Sequence, residues 1–166
     1  ERLAKHEMLG TAPREELAWL AEHTSFRAIE VGGMLSHKGK PVEGMFVILS
    51  GRLALFADRG EGPTKMVEWQ AGDVTGFLPF SRMGNAPGDS VALEPMEILV
   101  LRRDHIREMT RECFEITSRL VHRMIDRTRL FTSSELHNEK MISLGKLSAG
   151  LAHELGNPAS AIERSV

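Results

Sequence analysis

Two apolar runs flank a small turn in residues 45–56, which read Met45-Phe46-Val47-Ile48-Leu49-Ser50-Gly51-Arg52-Leu53-Ala54-Leu55-Phe56. Each run has the length of a strand rather than of a helix, and a Ser-Gly pair is a typical turn signal. The stretch therefore predicts two neighbouring strands joined by a turn at Ser50-Gly51.

The same pattern of short apolar runs separated by turn residues extends from Phe26 to Leu101. A further run of this kind is Ile98-Leu99-Val100-Leu101. Turn signals recur at intervals of about ten residues. They are Gly32-Gly33, Gly39-Lys40-Pro41, Ser50-Gly51, Gly60-Glu61-Gly62-Pro63, Gly72-Asp73 and Ala86-Pro87-Gly88-Asp89. Several short strands at this spacing indicate an all-β barrel or sandwich within residues 26–101.

Helical patterns precede and follow the strand-rich part. Residues 1–24 predict a short amphipathic helix, with Pro13 at its first position and Leu17 and Leu20 on one face. Residues 104–130 contain neither Gly nor Pro. Ile116, Leu120, Met124 (or Val121 and Ile125 beside it) and Thr128 form a helical stripe.

A further helix is predicted from about residue 135 to 158. Leu144, Leu147, Leu151 and Leu155 alternate by three and four positions along it, as in a short coiled-coil seam. Thr132-Ser133-Ser134-Glu135 is either the cap of this new helix or a polar hinge inside one continuous helix.

Composition excludes several classes of protein. The 166 residues carry a net charge of −2, which gives no indication of a nucleic-acid-binding surface. The single cysteine, Cys113, permits neither a disulfide framework nor a multi-cysteine metal cluster, and the histidines lack metal-ligand spacing. No apolar run approaches the roughly 20 residues that span a bilayer. We expect a cytoplasmic protein without metal or membrane span, and both ends look like cuts in a longer chain.

Residues 45–56, together with Trp69-Gln70-Ala71-Gly72-Asp73-Val74-Thr75-Gly76-Phe77, resemble the cyclic nucleotide-binding domain family. The resemblance covers roughly residues 10–125. It implies an α+β fold: a jelly-roll-like β-roll with flanking helices, followed by a long C-terminal signalling and dimerisation helix.

The resemblance also locates a degenerate nucleotide pocket. Members of the family usually carry the motif Phe-Gly-Glu, followed by an apolar stretch and the motif Pro-Arg-x-Ala. Thr75-Gly76-Phe77 replaces the first motif, and Gly88 stands in the slot of the phosphate-binding Arg, beside Asp89. The candidate pocket residues are Gly76, Phe77, Arg82 and Ser90, with Arg82 as a possible substitute cation. Because an acid beside a phosphate site is repulsive, we expect no tight binding of cyclic AMP or cyclic GMP.

Residues 141–158 read Met141-Ile142-Ser143-Leu144-Gly145-Lys146-Leu147-Ser148-Ala149-Gly150-Leu151-Ala152-His153-Glu154-Leu155-Gly156-Asn157-Pro158. This run resembles the phosphoacceptor helix of sensor histidine kinases. The resemblance implies that His153 accepts phosphate, that Glu154 handles the proton on Nδ1, and that Asn157 orients a hydrolytic water. An arbitrary histidine on a helix is more often an ordinary core or surface residue, so the assignment depends on this run.

The leading hypothesis is the sensory and phosphoacceptor part of a two-component kinase. Its sensor domain would span residues 1–125, a signalling linker 126–140 and the first helix of the dimerisation domain 141–166. The implied partners are a second copy of the chain, an ATP-binding domain of the same protein that uses ATP and Mg²⁺, and a response-regulator Asp. No cofactor is expected in this chain, which alone should be a substrate rather than an enzyme. The alternative is the effector-binding dimerisation module of a catabolite-activator-like transcription regulator.

Overall fold

The computed structural model describes residues 1–58, 60, 62–126 and 144. Within this part of the chain eight strands form two four-stranded antiparallel sheets. In chain order, β1 to β8 are Thr24–Ile29, Met34–Ser36, Gly44–Ser50, Arg52–Asp58, Pro63–Gln70, Val74–Gly76, Asp89–Ala92 and Met96–Arg102. The first sheet has the order β1-β8-β3-β6 and the second β2-β7-β4-β5. The predicted β-roll is confirmed.

The turn at Ser50-Gly51 separates the two strands that the sequence predicts, but it does not form a hairpin. β3 pairs with β6 and β8, whereas β4 pairs with β5 and β7. Gly51 has a φ of 85°, and a Cβ there would lie 2.5 Å from the Cβ of Met96. Glycine therefore lets the chain cross from one sheet to the other at a close approach to β8.

Strand β3 is buried on both faces, which accounts for its uninterrupted apolar sequence. Met45 and Val47 belong to a cluster that includes the flanking helices. Phe46 and Ile48, which alternate with them, belong to a second cluster with residues of both sheets. The second cluster fills the roll with the buried side chains of Val42, Phe46, Ile48, Leu53, Leu55, Trp69, Ala86, Ala92, Met96, Ile98 and Val100.

Helices cover the outer face of the first sheet. Helix α1 spans Arg14–His23, so the predicted N-terminal helix is confirmed over these residues. It begins later than predicted, because residues 1–13 contain no α-helix and Pro13 lies immediately before the first helical residue. After β8 a 3₁₀ turn, Arg103–His105, leads into helix α2, Ile106–Glu112. A further 3₁₀ turn spans Leu3–Lys5.

The helix-permissive stretch after residue 104 is interrupted at one residue. Cys113 has φ −123° and ψ 78°, and residues 114–126 are helical beyond it. The predicted stripe is nonetheless confirmed as far as Met124, because Ile116 and Leu120 are fully buried and Met124 packs against the same cluster. Thr128, the last predicted member, lies outside the described residues.

Contacts divide the chain into a compact unit, Glu1–Met124, and a second unit, Ile125–Val166. Most of the second unit lies outside the described residues, as do most of the predicted linker and acceptor helix. Within the described part, no helix is both long and apolar enough to cross a membrane.

Candidate functional site

The loop of residues 77–88 connects β6 to β7 and contains two of the four predicted pocket residues, Phe77 and Arg82. Gly76 ends β6 with a φ of 82°, and a Cβ there would lie 2.6 Å from the Phe46 ring. The N–H of Phe77 donates to the carbonyl of Gly44 at 2.9 Å. The loop therefore leaves the sheet at a point where only glycine fits and is tied at once to β3.

Phe77 lies beneath an arginine that the sequence analysis did not identify. The guanidinium carbon of Arg103 is 4.0 Å from the centre of the Phe77 ring, a cation–π contact. Nη1 of Arg103 also donates to the carbonyl of Gly84 at 3.4 Å. The position of the family's acidic residue is thus held by a half-buried apolar ring.

Position 88 requires glycine because the backbone of the neighbouring strand β4 lies too close for a side chain. A Cβ at this position would lie 3.0 Å from the carbonyl carbon of Phe56 and closer still to the carbonyl oxygen. Any side chain at Gly88 would therefore require the backbone of β4 or of the loop to move. The slot that the family resemblance assigns to arginine cannot carry an arginine in this backbone.

The polar groups of β7 are already engaged by protein partners. Oδ1 of Asp89 accepts a hydrogen bond from the N–H of Lys38 at 2.8 Å. Ser90 is buried, and its hydroxyl accepts a hydrogen bond from the Ser36 hydroxyl at 2.8 Å. Both interactions join β7 to β2 or to the residues that follow it.

Arg82 lies on the exposed part of the loop. Among the described residues it makes no hydrogen bond or ion pair. Gly76 and Phe77 are adjacent at the start of the loop, and Ser90 lies on β7 beyond its end. The role of Arg82 as a substitute cation therefore stays a prediction from the sequence.

A separate set of contacts fixes the 114–126 helix to the roll. Glu16 of α1 is buried, and its carboxylate accepts hydrogen bonds from the N–H groups of Glu115 at 3.1 Å and Ile116 at 2.8 Å. These are free donors at the first turn of a helix, so Glu16 serves as a cap supplied by another helix. From the sequence alone, Glu16 is recognisable only as an acid that favours the first turn of α1.

Two arginines add to this attachment. Arg119 donates to the backbone carbonyls of Met8 and Thr11 at 3.1 and 3.2 Å. Arg123 forms an ion pair with Asp73 in the turn between β5 and β6. The helix is therefore held to the N-terminal segment and to the roll by charged and polar groups along one side.

Two buried titratable groups lie in the same region. Burial, followed by the nearby carboxylates of Glu16 and Glu112, raises the pKa of the Cys113 thiol to about 11. The thiol therefore stays protonated near neutral pH and is a poor nucleophile. Burial also lowers the pKa of His6, although the Asp73 backbone and carboxylate oppose that shift.

The sequence pattern of the cyclic nucleotide-binding domain matches residues 26–113, which include all eight strands except the first two residues of β1. The chain belongs to this family. A sequence comparison with curated proteins found no match.

Solved structures of cyclic nucleotide-binding domains share the fold. A domain from Methylobacillus flagellatus KT is 21% identical, with a TM-score of 0.67, over 81% of this chain and 79% of that one. The Thermus thermophilus catabolite activator protein is 18% identical, with a TM-score of 0.63, over 78% of this chain and 61% of that one. The regulatory subunit of a cAMP-independent protein kinase A from Trypanosoma cruzi, bound to guanosine, is 26% identical. Its TM-score is 0.61, over 71% of this chain and 43% of that one.

At the positions that the family resemblance assigns to the ligand, this chain carries Phe77, Gly88 and Asp89. Gly88 leaves no room for the arginine, and Phe77 offers no acceptor for a ribose hydroxyl. Asp89 places a negative charge next to the slot. A phosphate there would be desolvated without the charge-assisted partner that normally compensates for that cost.

The residues with predicted phosphoryl chemistry, His153, Glu154 and Asn157, lie outside the described residues. Their roles stay predictions from the sequence.

Proposed function

We propose that the β-roll is the regulatory domain of a signalling protein and that its closing helices relay its state to a C-terminal output segment. The observation that carries this proposal is the attachment of the 114–126 helix through Glu16, Arg119 and Arg123. A change in the roll or in α1 would act on the start of that helix. The sequence of the output segment follows directly along the chain.

The output that the sequence favours is phosphotransfer through His153. A histidine with an ordinary pKa near 6.5 is largely neutral at neutral pH, so one ring nitrogen is available to attack a γ-phosphate. Positioning and charge stabilisation then supply most of the catalysis. Glu154 would hold the proton on Nδ1, and Asn157, four residues after His153, would share its helical face.

Radiolabelled ATP and the ATP-binding domain of a sensor histidine kinase, supplied in trans, test this output. We expect an acid-labile, base-stable label on the chain that His153→Gln abolishes. His137→Gln, a second histidine in the same predicted helix, is the matched control and should leave the label intact. Label that persists in the His153→Gln protein would return His122 or His137 to consideration.

The second candidate is the effector module of a transcription regulator, in which the helices only dimerise. The likeness to the Thermus catabolite activator protein supports this function more directly than the first, since the kinase function is supported by sequence alone. This second function would be favoured if the chain takes up no phosphate label in the experiment above and the full-length protein binds duplex DNA in a salt-dependent manner.

We further propose that the loop of residues 77–88 does not bind cyclic AMP or cyclic GMP tightly. The supporting observations are the blocked position at Gly88, the apolar Phe77 and the engaged carboxylate of Asp89. The signal that this domain senses would then differ from a cyclic nucleotide.

A further inference from the structure

The loop of residues 77–88 is tied to the roll at both ends by the chain's own backbone. At its start, Phe77 donates to the carbonyl of Gly44 at 2.9 Å. Near its end, the N–H of Ala86 donates to the carbonyl of Lys40 at 2.8 Å. Both donors are therefore satisfied without a ligand.

The middle of the loop contains a tight turn. The N–H of Ser81 donates to the carbonyl of Leu78 at 3.1 Å, and Phe80 between them has a φ of 60°. A positive φ at the third residue is what a type II turn requires, and a residue with a Cβ rarely adopts it. The Phe80 ring is exposed, so the contact that closes this turn is its backbone hydrogen bond.

Arg103 supplies the contact that spans the loop. Its guanidinium lies over the ring of Phe77 at the start of the loop and donates to the carbonyl of Gly84 farther along. Its own N–H donates to the carbonyl of Glu43 at 3.0 Å, which anchors the backbone of Arg103 beside β3. Phe77 packs against both hydrophobic clusters, and a partly desolvated ring strengthens a cation–π contact.

We infer that Arg103 holds the loop of residues 77–88 in place without a bound nucleotide and connects it directly to the helices. Arg103 opens the 3₁₀ turn that leads from β8 into α2. A movement of the loop would therefore displace the start of α2 through one side chain. This inference goes beyond the proposed function, because it holds for either output.

Hydrogen exchange measured by mass spectrometry tests the inference on the whole chain. We expect peptides from residues 77–88 to be protected in the absence of nucleotide, and added cyclic AMP to leave them unchanged. Arg103→Ala should speed their exchange about 2- to 30-fold, the factor that corresponds to one cation–π contact. Arg102→Ala, which removes the largely exposed neighbouring arginine, is the matched control and should have no effect on the loop.

Phe77→Leu gives a second route if Arg103→Ala unfolds the chain, because it removes the ring and keeps an apolar side chain. It should speed exchange of the loop to a similar extent. Loop peptides that are unprotected in the wild type and become protected with cyclic AMP would overturn the inference. Equal exchange in the wild type and both variants would also overturn it. The comparison of the wild type with the two variants uses neither phosphotransfer, DNA binding nor cyclic AMP, so its failure is distinct from failure of the proposed function.

Discussion

Gly88 occupies a position at which this backbone has no room for a side chain. Its Cα approaches the backbone of Phe56 so closely that hydrogen is the only side chain that fits. An arginine at this position would have to displace a strand of the second sheet before it could reach a phosphate.

The steric requirement at Gly88 predicts a stability effect. Gly88→Ala should lower the free energy of unfolding by about 1–3 kcal/mol, because the backbone must shift to admit the methyl group. Gly84→Ala in the same loop is the control, since a Cβ there meets nothing within 4 Å. It should change stability by no more than about 0.5 kcal/mol. Urea unfolding followed by tryptophan fluorescence measures both, and equal stability of the two variants would contradict this steric account.

The burial of His6 predicts that the free energy of unfolding depends on pH. Its ring is buried, and Nδ1 accepts a hydrogen bond from the N–H of Leu9 at 3.3 Å. Burial lowers its pKa from 6.5 in the folded state, so below pH 6.5 the unfolded chain binds more protons than the folded chain. Its contribution to stability should be fully present above pH 6.5 and decline as the pH falls toward the lowered folded value.

Urea unfolding between pH 5 and 7 measures this effect. His6→Asn should reduce the slope of stability against pH by up to about 1.4 kcal/mol per pH unit, the value for one proton. Gly84→Ala, which removes no titratable group, is the control and should leave the slope unchanged. An unchanged slope in His6→Asn would show that His6 does not titrate differently in the two states.

Among the elements, the 114–126 helix depends most on a distant residue. It begins after Cys113 because Glu16, a hundred positions away, accepts hydrogen bonds from its first turn. Glu16→Ala should therefore lower the free energy of unfolding by about 1–3 kcal/mol, since it leaves a buried N–H unsatisfied. Glu16→Gln keeps one acceptor oxygen and should lose less.

Glu15→Ala is the matched control for this cap. Glu15 is adjacent to Glu16 in the same helix turn but is exposed, so its removal should change stability by no more than about 0.5 kcal/mol. Equal losses for Glu15→Ala and Glu16→Ala would mean that acids in the first turn of α1 act through the helix dipole rather than as a cap for another helix.

The sequence predicted those elements whose signals are local. The strands, α1 and the stripe of Ile116, Leu120 and Met124 follow from short-range periodicity and turn residues. The crossing at Gly51 and the break at Cys113 could not be predicted, because each depends on a partner distant in sequence. In the site, the sequence identified the replaced residues Phe77 and Gly88, but not the contact of Arg103 with Phe77.

At the scale of the whole molecule, the leucine stripe in residues 144–155 predicts a homodimer. Leu144, the member of the stripe that lies among the described residues, is 59% exposed. A monomer would leave such a strip in water, which is costly for a continuous apolar surface. Leu147→Glu with Leu151→Glu should shift sedimentation from dimer to monomer. A dimer that persists would place the interface elsewhere, for instance along residues 104–130.

The central proposal is that this cyclic nucleotide-binding domain does not bind cyclic AMP or cyclic GMP tightly. Calorimetric titration of the chain with cyclic AMP tests it most directly. Loss of a buried charge-assisted partner costs roughly 2–5 kcal/mol, or about 30- to 4,000-fold in affinity. We therefore predict binding weaker than micromolar, or no measurable heat. Micromolar or tighter binding would contradict the claim and would mean that another cation, such as Arg82, reaches the phosphate.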